Sequence, residues 1–220
     1  MLDEKSRKNS EIFLLVLLIL SLSLLIARFF LSEKLTYLFL SWNLFLAVVP
    51  YGLARLVEYF HERYQQFSFR LWGSFFTWLL FFPNAPYIIT DYIHLNRLSS
   101  ADQLVFDLLL ITSFSLTGLF FGLFSLSIVH SVIRERWGRV QGWLLVAGIS
   151  FLSGYGVYLG RFARWNSWDI LTNPNLLIAD ALGRLLNPFV HEDLLFTTFL
   201  FTGFVFGVYV LFRWIVRKIF

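Results

Sequence analysis

The chain has no cysteine, a single methionine and only five prolines among 220 residues. Without cysteine there is no disulfide framework, no thiolate nucleophile and no cysteine-ligated zinc or iron–sulfur centre. Charge is scarce as well: Asp, Glu, Lys and Arg together make up 15% of the chain, against about 25% in an average globular protein. In their place stand 58% hydrophobic residues, with 27 Phe, 8 Trp and 9 Tyr, and a mean hydropathy of +0.69. A water-soluble core of this length cannot hide that much aromatic surface, so the solvent implied is a bilayer. The net charge of +4 does not point to nucleic acid. The basic residues sit in small groups between apolar runs, which is the pattern of membrane-flanking charge. The composition therefore defines an all-α, polytopic helix bundle in a single integral membrane domain over residues 1–220.

A hydrocarbon layer of ~30 Å needs about 20 apolar helical residues. The runs 12–31, 35–57, 71–90, 104–130, 143–160 and 194–216 meet that length and predict six spans. Lys5, Arg7 and Lys8 precede the first run as they would in a signal peptide, but the run is long and no small-residue cleavage site follows, so a retained helix is expected. Arg28 near its far end reads as a snorkelling side chain. Twelve basic residues fall on the side of the N-terminus and six on the other, Arg28, Lys34, Arg97, Arg161, Arg164 and Arg184. The positive-inside rule then puts both termini in the cytoplasm. Gly118 and Gly122, Gly156 and Gly160, and Gly203 and Gly207 each make a small-xxx-small step, expected to bring helices of the bundle close together.

The third run is interrupted by Pro83-Asn84-Ala85-Pro86. Proline donates no backbone hydrogen bond and biases its predecessor away from helix, so the chain should unwind here. Unwound backbone at membrane depth survives only where protein buries it or a wet cavity adjoins it, and transporters place binding sites at such interruptions. One reading is a kink whose freed carbonyls are capped by Asn43, Asn84 or Thr90; the other is a ligand site. Asn43, about 12 Å from the end of the second span, should lie at the depth of Asn84. Beyond the break, Asp91 and His94 share a helix face, a spacing that suits a weak metal site or a shared proton. Asp102 reads as a helix N-cap behind Ser99 and Ser100. Asp107 falls inside an apolar helix, where an acid needs a partner; Arg161, Arg164 and His94 are the expected ones.

The loop after the fifth span holds Arg161, Arg164, Trp165, Asn166, Trp168 and Asp169. A helical continuation would set both guanidinium groups on one face, suited to a phosphate or carboxylate. The alternative is a lipid-interface belt, which leaves Asn166 and Asp169 unexplained. Asn173-Pro174 opens an amphipathic helix that lies on the membrane surface or lids the bundle, with Asp180 and Arg184 at i,i+4. His191, Glu192 and Asp193 look like a metal cluster but fit the cap of the last helix better.

The strings Leu80–Asp91 with His94 and Tyr158–Asp169 resemble the two signatures of a bacterial membrane-protein family catalogued as domain of unknown function 1361. Trp42-Asn43 and Pro50 resemble it too, so the likeness runs from about residue 35 onward. The resemblance implies a multi-pass protein of the bacterial cytoplasmic membrane and supplies no catalytic residue. Read from the residues, the polar candidates converge on one outer-leaflet pocket. It would bind or transport an anionic lipid headgroup or small solute through Asn43, Asn84, Arg161, Arg164, Trp165, Asn166 and Trp168. The alternatives are an enzyme on a lipid-linked phosphate, with Asp91, His94, Asp107 or Asp169 as acid, base or metal ligand, and an assembly scaffold. Membrane lipids are the expected partners. The sequence names no cofactor and leaves self-association open.

Overall fold

The computed structural model describes residues 4–32, 35–64, 68–95 and 103–219. Helix α1 spans Glu4–Ser32, α2 Phe39–Arg63, α3 Phe69–Phe81 and α4 Asn84–Tyr87, and a 3-10 segment follows at Ile88–His94. Then come α5 at Leu104–Trp137, α6 at Arg139–Arg161, α7 at Asp169–Thr172, α8 at Pro174–Leu186 and α9 at Glu192–Ile219. No strand occurs among the described residues. Five helices are long and apolar enough to cross a bilayer, namely α1, α2, α5, α6 and α9. Large apolar side chains line their outer faces, such as Leu15, Val16 and Ile26 on α1, so the bundle presents hydrocarbon where a soluble protein presents charge.

The run expected as the third span, with a break at Pro83-Asn84-Ala85-Pro86, is not one of the five long helices. The third apolar segment is built from three pieces, α3, α4 and the 3-10 segment, because the two prolines interrupt the α-helical ladder. Its course is nevertheless continuous along α5, antiparallel to it. Trp72 stacks on Trp137 with ring centroids 5.5 Å apart, Trp78 donates from Nε1 to Ser125 Oγ at 3.3 Å, and Tyr92 and Thr112 share a hydroxyl hydrogen bond of 2.6 Å. From Thr112 to Trp137 is a helical length of roughly 38 Å.

Close approach is what holds this irregular segment in place. A Cβ on Gly122 would stand 2.7 Å from the Ala85 Cβ, and one on Gly118 would stand 2.9 Å from Ile88 Cγ2. On α6, Gly156 faces Pro83 and Gly160 faces the Tyr87 ring in the same manner. Two of the three small-xxx-small steps therefore pack against the interrupted segment. The third does not: added Cβ atoms at Gly203 and Gly207 meet nothing within 4 Å. The tight glycine of the α6–α9 contact is Gly154, which lies against the backbone of Thr198.

Two charge assignments also change. Arg28 does not snorkel; it is 4% exposed and inside the bundle. Its guanidinium forms the ion pair with Asp107, Nε to Oδ1 and Nη2 to Oδ2 at 3.1 Å, while Tyr37 donates to the same carboxylate at 3.1 Å. The expected partners Arg161, Arg164 and His94 are not its partners. A fully buried acid needs a full set of donors, and α1 supplies the nearest cation. Asp102, with Ser99, Ser100 and Arg97, lies outside the described residues.

Removing one member of a buried ion pair leaves an uncompensated charge, a cost of about 3–5 kcal/mol, whereas replacing both by apolar groups is often neutral. Arg28→Leu or Asp107→Leu should therefore lower the unfolding midpoint in mild detergent, and the double substitution should recover most of the loss. A double variant as unstable as the sum of the singles would exclude the pairing.

Candidate functional site

At the end of the bundle opposite the N-terminus, a cavity of about 430 Å³ opens between α2, the α3–α4 segment, α6 and the loop that follows α6. Its apolar flank is formed by Leu46, Phe76, Leu79, Leu80, Leu152 and Leu159. Phe76, Leu152 and Trp42 are among the exposed large hydrophobics, so the cavity opens sideways, on the flank of the bundle. Its other end is polar and aromatic: Trp42, Asn43, Asn84 and Tyr87 come from α2 and α4, and Trp165, Asn166, Ser167 and Trp168 from the loop.

Local chemistry explains why these groups converge. Around the Pro83–Pro86 break side chains donate to the backbone carbonyls, in place of helical N–H groups at Leu80 and Phe81 and beside them in the 3-10 segment. Asn84 Nδ2 donates to the Phe81 carbonyl at 2.8 Å and to Ser167 Oγ at 3.0 Å, and Ser167 in turn donates to the Leu80 carbonyl at 3.3 Å. Thr90 donates to the Tyr87 carbonyl at 2.7 Å, Ser115 to the Ile88 carbonyl at 3.4 Å, and Arg161 Nη2 to the Thr90 carbonyl. Of the three expected caps, Asn84 and Thr90 act on this backbone. Asn43 instead donates to Asp91 Oδ2 at 2.7 Å.

The loop is set by the end of α6. The helix stops at Arg161, and Arg164 takes a left-handed backbone, φ 61°, a conformation that costs a non-glycine residue energy and reverses the chain. The Trp165 N–H then reaches back to the Leu159 carbonyl at 3.1 Å. A helical continuation carrying Arg161 and Arg164 on one face does not exist. Arg164 is exposed, and neither arginine lines the cavity. Arg161 turns to Tyr87, Asp91 and His94 instead. Its guanidinium lies over the Tyr87 ring at 5.3 Å, 3.5 Å from Asp91 Oδ1 and 3.4 Å from His94 Nε2. Asp91, 1% exposed, is thus held between Asn43 and Arg161. His94 also packs edge-on against Phe39.

Trp165 and Trp168 both reach the cavity. Trp168 meets Trp42 edge to face at 5.9 Å. Trp165 Nε1 donates to Asp180 Oδ2 at 2.7 Å, and Asp180 accepts from Arg184 Nε at 2.9 Å. Arg184 also donates to Tyr158 at 3.0 Å, and Tyr155 donates to the Ala181 carbonyl. Helix α8 is thereby tied across α6, with Leu177 at the edge of the cavity. The hydrogen bond from Arg184, followed by that from Trp165, holds the Asp180 carboxyl below the usual carboxylate range. This tie is complete at neutral pH and is lost only as pH falls through that lowered value. Asn173 stands at the N-cap of α8 without a side-chain cap bond; Pro174 supplies the helix start.

The remaining acids serve the fold. Asp169 accepts from the Asn166 N–H at 2.7 Å and from Thr172 at 3.3 Å, shaping the loop without lining the cavity. Asp107 belongs to the Arg28 pair. Among the described residues no group of three or more His, Asp or Glu comes together to hold a metal. For Asp91 and His94, Arg161 already supplies the neighbouring positive charge. His191 and Asp193 stand at the entry to α9, where the Leu194 N–H bonds the His191 carbonyl at 3.0 Å. Sequence reasoning missed Ser167 and Tyr87 as cavity residues and read Gly156 only as a packing step. Ser167 and Tyr87 lie inside strings singled out above, so proximity to the flagged asparagines was the available signal.

A helical membrane protein with a side-opening cavity at one end is the class that this geometry defines. The chain belongs to the family described as protein of unknown function DUF1361, whose model matches residues 42–208 and so takes in α2, the interrupted segment and the loop. No curated protein and no solved structure matches the chain.

Asp91 and Arg161 should behave as one unit. Asp91→Ala and Arg161→Gln should each lower the unfolding midpoint, with a coupling of about 1 kcal/mol or more in a double-mutant cycle. Additive losses would show that the two side chains act independently.

Proposed function

We propose that this protein binds a membrane amphiphile, with acyl chains along the apolar flank of the cavity and a polar headgroup among the asparagines and tryptophans. The observation that carries the reading is the cavity itself: about 430 Å³, in the range of roughly 300–1,000 Å³ typical of small-ligand sites, and amphiphilic along its length. A soluble substrate needs a mouth on water. Here the exposed walls Phe76 and Leu152 lie on helices that face hydrocarbon, which suits lateral entry from the bilayer.

Orientation follows from the basic residues, twelve on the side of the N-terminus and six on the other. With both termini in the cytoplasm of a bacterial inner membrane, the headgroup end lies at the outer leaflet, near Trp42, Trp165 and Trp168 at the depth where tryptophan is enriched. The expected anionic clamp of Arg161 and Arg164 has less support than the expected place, since Arg161 is committed to Asp91 and the Thr90 carbonyl.

Two measurements test this. The cysteine-free chain allows single-cysteine labelling: an impermeant maleimide should modify Asn175→Cys in intact cells and Lys8→Cys only after lysis, and the reverse pattern would invert the topology. In native mass spectrometry from mild detergent, the wild type should retain bound lipid, and Leu152→Trp, which fills the flank, should lose it by at least about tenfold. Equal retention by a well-folded Leu152→Trp would remove the cavity as the lipid site.

A further inference from the structure

The hydrogen-bonding state of the headgroup end says more than its shape. An amide side chain carries donors on nitrogen and an acceptor on oxygen, and here the partners fix which is which. Asn43 must turn its NH2 to the Asp91 carboxylate, Asn84 to the Phe81 carbonyl, and Asn166 to the Asp169 carboxylate at 3.3 Å. Each of these partners accepts, so none of the three amides can be flipped without losing its bond. The Oδ1 atoms of Asn43, Asn84 and Asn166 are left with no hydrogen bond among the described residues, and none of them is sealed inside protein. All three residues line the cavity.

The donors at the same end are few and uncharged. Trp165 Nε1 is committed to Asp180 and the Ser167 hydroxyl to Leu80, while the indole N–H groups of Trp42 and Trp168 keep no protein partner among the described residues. Among the described residues no charged side chain lines the cavity. A phosphate or carboxylate brings only acceptors and negative charge, and it would face three amide oxygens with no cation among the described lining residues to offset them. A group with many O–H donors that also accepts matches this set. The aromatic component points the same way. Trp42 is half exposed, stacks on Phe45 at 5.5 Å and meets Trp168 at 5.9 Å, which makes a rigid corner of π surface with negative faces. The C–H face of a sugar ring packs on such a surface, while its hydroxyls reach the amides around it.

We infer that the headgroup end of the groove is a subsite for an uncharged glycosyl unit carried on a lipid, recognised by the amide oxygens of Asn43, Asn84 and Asn166 and the Trp42–Trp168 corner. The inference rests on the amphiphile-binding reading above and adds the chemistry of the headgroup. It also gives the asparagines, rather than the arginines, the selective role.

The test offers the purified full-length protein equal amounts of three lipids with the same dioleoyl chains, in mild detergent with native mass spectrometry as the readout. One carries a single glucose on diacylglycerol, one is phosphatidylglycerol, and one is diacylglycerol itself. The glucosyl lipid should be retained at least about tenfold over either other lipid. Trp42→Leu and Asn166→Ala, whose side chains stand at the exposed rim, should erase that preference while leaving the unfolding midpoint near wild type. Preference for phosphatidylglycerol would overturn the inference in favour of an anionic headgroup. Equal retention of all three, each lost in Leu152→Trp, would overturn the glycosyl subsite and leave the lipid groove standing. Retention of none would end both readings. Displacement of the glucosyl lipid by excess free glucose as readily as by unlabelled glucosyl lipid would overturn the lipid-linked part.

Discussion

The carbonyls of the interrupted third segment cannot turn to water, and the rest of this end of the molecule is arranged around that constraint. In hydrocarbon each unsatisfied backbone group costs several kcal/mol, so a stretch with two prolines needs donors from elsewhere. The Leu80 and Phe81 carbonyls receive them from Ser167 and Asn84, while Thr90, Ser115 and Arg161 add a further donor to the Tyr87, Ile88 and Thr90 carbonyls of the 3-10 segment. Two of those donors, Ser167 and Arg161, belong to α6 and the loop after it, and one, Ser115, belongs to α5. The break is therefore what ties α4, α5 and the loop into one unit.

Packing follows the same logic. An interrupted segment has no regular ridge to offer, so its neighbours must yield space, and Gly118 and Gly122 on α5 and Gly156 on α6 do so against Ile88, Ala85 and Pro83. Tertiary contact replaces the rigidity that a continuous helix would have had. The segment turns from α3 into α4 beside α2 and α6, and the cavity lies along that junction, lined by Leu79, Leu80, Pro83 and Asn84.

Much of this was legible in the residues. The apolar runs gave the five long helices, and Pro83-Asn84-Ala85-Pro86 marked where the third would break. The convergence of Asn43, Asn84, Trp165, Asn166 and Trp168 was legible because alternating helices bring their ends to common levels. What the sequence could not convey was pairing. Asp107 advertises a partner but not which one, and Arg28 lies 79 positions away at the end of another helix. The spacing of Arg161 and Arg164 suggests one face only if the helix continues. Whether it continues depends on the left-handed turn at Arg164, a conformation for which an arginine gives no local signal.

The same constraint that organises the fold also sets the polarity of the groove. Each asparagine here spends its nitrogen on a structural acceptor, the Phe81 carbonyl for Asn84 and the carboxylates of Asp91 and Asp169 for Asn43 and Asn166. An amide so used has no choice about its other end: the oxygen is left over as an acceptor. Arg161 is drawn to Asp91 and the Thr90 carbonyl, so its charge is answered there and not at the cavity wall. Capping the interrupted backbone with Asn84 and answering Asp91 and Asp169 with Asn43 and Asn166 thus yields a cavity wall that, among the described residues, is uncharged, rich in acceptors and edged with tryptophan. At Asn84 the chemistry of the wall follows from what the backbone behind it requires, and at Asn43 and Asn166 from the carboxylates they answer.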